Sequence, residues 1–116
     1  MLAAKDLHVA SLVVTEEPSA SLFHSQQAVE KSEKGLLALS NVAFRKTHDL
    51  GELGKQCAAL YPSLIPLLSE AANLTDYAIV FRYLDAPREP DAAEASAGLA
   101  MARTIYEKVS AFVAGA

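Results

Sequence analysis

Leu22, Val29 and Leu36 stand seven residues apart, so on a helix they fall in one line two turns from one another. Ser25 and Ser32 lie between them on the same line. A face that mixes bulky with very small side chains permits a neighbouring helix to come close, which makes this segment one member of a packed bundle. The same three- and four-residue spacing returns along the chain. Ala3, Leu7, Ala10 and Val14, widened by Leu12 and Val13, form a short first helix that Glu16, Glu17 and Pro18 close. After Pro18 a serine, Ser19 or Ser21, can cap the second helix.

Asn41 to Thr47 has weak periodicity and reads as a loop. Thr47 or Asp49 can cap a third helix through Leu50, Leu53, Cys57 and Leu60, which Gly51 and Gly54 interrupt and Tyr61-Pro62 stops. Ser63 precedes a longer pattern, Leu64, Leu67, Leu68, Ala71, Leu74, Thr75, Ala78 and Phe81, expected as a central helix. Pro66 falls in its first turn, where a missing amide costs least. Asp85 to Pro90 is a turn bounded by prolines, and Ala95, Leu99, Ala102, Tyr106, Val109 and Val113 trace a last helix. Short connections favour antiparallel neighbours. The expected fold is all-α, an antiparallel up-and-down bundle of four to five helices in one domain spanning 1–116. Composition agrees: 52% of the 116 residues are hydrophobic and Trp is absent, with four Phe and four Tyr, a balance that suits closely packed helices over a sheet.

A formal charge of −4 gives no overall attraction to phosphate backbones. Cys57 is the lone cysteine, which excludes an intrachain disulfide and a multi-cysteine metal site. The start MLAAKDLHVASLVVTEE lacks the basic-then-apolar layout of a secretion signal. No apolar run approaches the ~20 residues of a membrane span. These features fit a cytoplasmic setting with no membrane contact.

Three groups of residues could carry chemistry. Gln27, Lys31 and Lys34 lie at i, i+4 and i+7 and form a polar ridge able to meet an anion, although Glu30 and Glu33 can pair with the lysines instead. A second ridge holds Phe23, Gln26, Glu30, Glu33 and Leu37, so two polar ridges flank the apolar stripe. Arg45, Lys46 and His48 sit in a compact basic turn, where His48 can act as acid or base. Arg82 stands near the end of the fourth pattern, beside Asp85. His24 has no chemical companion. His8, His24 and His48 are too scattered for a local metal motif, and no Walker loop, dinucleotide fingerprint or GxSxG elbow occurs. No metal, cofactor or catalytic set is expected.

FHSQQAVEKSEKGLLAL, followed by KTHDL, a long apolar helix and RYLD, resembles the HEPN (higher eukaryote and prokaryote nucleotide-binding) superfamily over nearly the full chain. The resemblance implies an antiparallel bundle of four or five helices. It also implies a homodimer and pairing with a small nucleotidyltransferase in two-component, toxin–antitoxin arrangements. Many members look like metal-independent ribonucleases that bring an Arg and a His, with four to six residues between them, together across a dimer. Here Arg82 is followed by YLDAPREP without a His, Arg103 has no following His, and Arg45 and His48 have only two residues between them. The expectation is therefore a non-enzymatic interaction protein. It would bind a nucleotide through Gln27, Lys31, Lys34, Arg45, Lys46, His48 and Arg82. The alternative is a ribonuclease toxin with a variant site.

Overall fold

A computed structural model of the chain describes residues 2–43, 49–69 and 90–115. Helix α1 runs Leu2–Val13, α2 Pro18–Leu39 and α3 Leu50–Leu60. A 3-10 turn at Pro62–Leu64 leads into helical residues 65–69, and the last helix, α4, is Ala92–Gly115. The described residues contain no strand, and the architecture is the all-α antiparallel bundle that the periodicity implies. Beyond residue 69 the expected Leu64–Phe81 helix lies outside the described residues, as does most of the Asp85–Pro90 turn.

Helix ends follow local chemistry. Glu17 is the N-cap of α2, without a side-chain cap, and Pro18 fills the first turn, where its missing amide and fixed φ are an advantage. This corrects the expected serine cap. Because Pro18 starts the helix early, Ser21 already lies inside it, buried, and its Oγ donates to the Ala10 carbonyl at 2.8 Å, which fastens α2 to α1. At the other end Asn41 takes φ 59°. The Val42 amide reaches back to the Leu37 carbonyl at 3.0 Å and the Asn41 amide to Ala38 at 3.1 Å, a left-handed termination that satisfies the last carbonyls. Asp49 caps α3, accepting from the amides of Gly51 at 2.9 Å and Glu52 at 3.3 Å. At the start of α4, Asp91 accepts from the Glu94 amide at 2.8 Å while Glu94 accepts from the Asp91 amide at 3.2 Å, a reciprocal capping box.

Among the described elements α2 is the hub, touching α1, α3 and α4. Leu22, Val29 and Leu36 are buried as their spacing requires, and so is Leu37. They meet Leu7 and Ala10 of α1, Leu50 and Leu53 of α3, and Leu99 and Ile105 of α4. Three side chains assigned to apolar stripes face outward instead: Leu12 is 66% exposed, Leu60 41% and Val113 37%. Leu12 is two residues past Ala10, about 200° around the helix, so the stripe that buries Ala3, Leu7 and Ala10 leaves it outside. The larger correction concerns α2 itself. Gln26, Glu30 and Glu33, expected on a solvent ridge, are 7%, 4% and 0% exposed, because a helix packed by three others buries more than one of its ridges.

Candidate functional site

The polar residues of α2 divide into two groups with different chemistry. Toward α1, Asp6 is buried and receives both His24 and Lys31. The His24 Nδ1 lies 2.9 Å from Asp6 Oδ1 and the Lys31 Nζ 2.5 Å from Oδ2. A carboxylate only accepts, so in this contact Nδ1 carries the hydrogen and donates it to Asp6. The imidazole also meets the Phe23 ring edge-on, centroids 5.3 Å apart. His24 therefore has a companion after all, 18 residues away in sequence, and only the packing of α1 on α2 reveals it. The arrangement orients an imidazole as an acid–base dyad does, but no described Ser or Cys side chain hydrogen-bonds to it.

One turn on, Lys34 Nζ stands 3.6 Å from Glu30 Oε2, the favourable order of an i,i+4 pair. Both lysines of the expected anion-binding ridge thus face carboxylates of the chain itself. Gln27 is half-buried on the same side. Arg45, Lys46, His48 and Arg82 lie outside the described residues.

Toward α3 the environment is apolar. Glu33 is fully buried, and neither carboxyl oxygen has a hydrogen-bond partner among the described residues. Burial chiefly, with the nearby carboxylates of Glu30 and Asp49, pushes its pKa up to about 9, so at neutral pH it is an uncharged acid. Beside it the Cys57 thiol approaches the Glu33 carbonyl at 3.5 Å. Burial first, and then Glu33, pushes that thiol up to about 12, which leaves it protonated and unreactive. Gly54 makes room for the acid: a Cβ there would sit 3.0 Å from Glu33 Oε2 and 3.5 Å from Leu68 Cβ.

Two surface grooves accompany these groups. One, of about 350 Å³, runs between α3 and residues 65–69 and is lined by Gly51, Gly54, Lys55, Ala58, Ile65, Leu68 and Ser69. The other, also about 350 Å³, lies between α1 and α4 and brings His8 and Ser11 opposite Arg103, Tyr106 and Glu107. Among the described residues no group of three His, Cys, Asp or Glu side chains could hold a metal ion, and no helix is long and apolar enough to cross a membrane.

The family model for the HEPN domain matches residues 3–112. The chain belongs to the HEPN domain family. The match covers nearly all of α1 and α4 and the whole of α2 and α3, so the buried Glu33 and the Asp6–His24–Lys31 cluster are features inside a HEPN bundle rather than additions to it. Searches of curated proteins and of solved structures give no significant match. Sequence reasoning missed both clusters. The sequence signal for Glu33 was its place four residues after Val29 and three before Leu36.

Proposed function

We propose that this HEPN domain acts by binding rather than by catalysis, as a cytoplasmic homodimer that pairs with a nucleotidyltransferase. The observation that carries the reading is exposed apolar surface. Large apolar side chains stand in solvent at Leu12, Leu39, Leu60, Ile65 and Val113, material for protein contact. The absent Arg and His spacing of the ribonuclease members supports the same conclusion, and family membership supports the class of partner. A nucleotide joins this complex through Gln27, Lys31 and Lys34, whose ammonium groups exchange their Asp6 and Glu30 contacts for its phosphates, with Arg45, Lys46, His48 and Arg82 completing the patch.

Molar mass by light scattering tests the dimer, and a strict monomer at high concentration refutes it. Calorimetry with a nucleotide panel tests the ligand, with saturable binding expected in the wild type and weaker binding after Lys31→Ala and Lys34→Ala. Co-purification with a nucleotidyltransferase tests the partner. RNA cleavage that is lost on His48→Ala would replace the binding reading with the ribonuclease one.

A further inference from the structure

Glu33 and the α3 groove are unused by the reading above, and they belong together. Gly54 lines the groove, and the Glu33 carboxyl lies directly behind it, Oε2 3.0 Å from where a Gly54 Cβ would stand. Leu68, another lining residue, closes the remaining gap with its Cβ 3.5 Å from the same point. A buried carboxyl whose two oxygens have no hydrogen-bond partner among the described residues is a costly group that a ligand bringing donors would satisfy.

We propose that this groove takes the guanidinium of an arginine side chain from a partner protein, with Glu33 as its counter-ion, reached past Gly54 as Leu68 gives way. Three observations select that chemistry. The two free oxygens of one carboxyl match the parallel donors of a guanidinium fork. Ala58, Ile65 and Leu68 offer apolar walls to the three-carbon stem of the arginine. Among the described residues, the titratable groups that act on Glu33 are negative or neutral: Glu30 on α2, Asp49 at the start of α3, and the protonated Cys57. Residues 62–69 add no titratable side chain. Lys55 is exposed on the groove, where its long stem keeps the ammonium in water. The field at the carboxyl therefore favours an incoming cation.

Binding is coupled to ionisation. The guanidinium stays protonated, while the Glu33 carboxylic acid must give its proton to solvent before the ion pair forms. The proposal leans on the interaction reading only in naming a protein as the source of the arginine. An isolated probe therefore tests the chemistry whether or not a nucleotidyltransferase is the partner.

The probe is N-acetyl-arginine amide, titrated calorimetrically into the full chain in buffers of different ionisation enthalpy. Saturable binding is expected with release of about one proton at pH 7, and with affinity rising about tenfold from pH 7 to pH 8. Glu33→Gln keeps the shape and should abolish the proton release and the pH dependence. Gly54→Ala should block entry while Glu33 remains, with thermal melts confirming that each variant folds. Absence of saturable binding, proton release that persists in E33Q, or wild-type affinity in G54A would each overturn the proposal. Equal binding of N-acetyl-lysine amide would overturn the guanidinium assignment.

Discussion

Glu33→Gln should stabilise the chain, and by an amount that grows with pH. In the unfolded chain the carboxyl titrates near 4.5, and in the folded chain near 9. Below pH 4.5 both states hold the proton and the group costs nothing in ionisation. Between those values the folded state keeps a proton that the unfolded state has released, so stability falls by about 1.4 kcal/mol for each pH unit gained. By pH 7 the loss relative to pH 4.5 is about 3 kcal/mol, a large share of the 5–15 kcal/mol typical of a domain. The side chain is fully buried, so solvent screening does not reduce the figure. Glutamine has nearly the same shape and no charge to suppress. Urea unfolding of both proteins at pH 5, 6, 7 and 8 isolates the effect, since every other titrating group is common to the two. The stability difference should widen by about 1.4 kcal/mol per pH unit in favour of the variant. Parallel curves would show that Glu33 ionises freely in the folded state, and the burial argument would fail with them.

Two further outcomes follow from named contacts. Asp6→Ala leaves His24 and Lys31 without their shared carboxylate, at a cost of about 2 kcal/mol by the usual worth of hydrogen bonds to charged groups; thermal unfolding that matches the wild type would reduce the cluster to a surface decoration. The glycines of α2 and α3 should behave oppositely. A Cβ at Gly35 meets nothing within 4 Å, so Gly35→Ala should gain about 0.5–1 kcal/mol from helix propensity. At Gly54 the same gain is opposed by Glu33 Oε2 at 3.0 Å. Gly54→Ala should therefore be more favourable in a Glu33→Ala background than alone, by about 1 kcal/mol in a double-mutant cycle. Simple additivity would place the Glu33 carboxyl elsewhere.

Much of the bundle was legible in the spacing of apolar residues. Leu22, Val29 and Leu36 needed no structure to be placed inside, nor did the stop at Tyr61-Pro62, because each depends on neighbours within a turn or two; the α3 cap stood open between Thr47 and Asp49, and the structure shows Asp49 accepting from the Gly51 and Glu52 amides. The Asp91–Glu94 capping box is equally local, D-x-x-E ahead of an apolar run, yet the sequence reading places only the turn before it. What a helix does with its second and third faces is a different matter. Periodicity puts Gln26, Glu30 and Glu33 on a ridge beside the core stripe, and whether that ridge is wet depends on how many helices pack around α2.

The sequence by itself determined that the chain is helical, where several helices begin and end, and to which family it belongs, since all three are written in local spacing and short motifs. Tertiary structure decided the chemistry. It closed three helices around α2 and stripped Glu33 of water. It also carried Asp6 across 18 residues to meet His24. A residue's charge and partners depend on what surrounds it in space, and that surrounding is assembled from segments far apart in the chain.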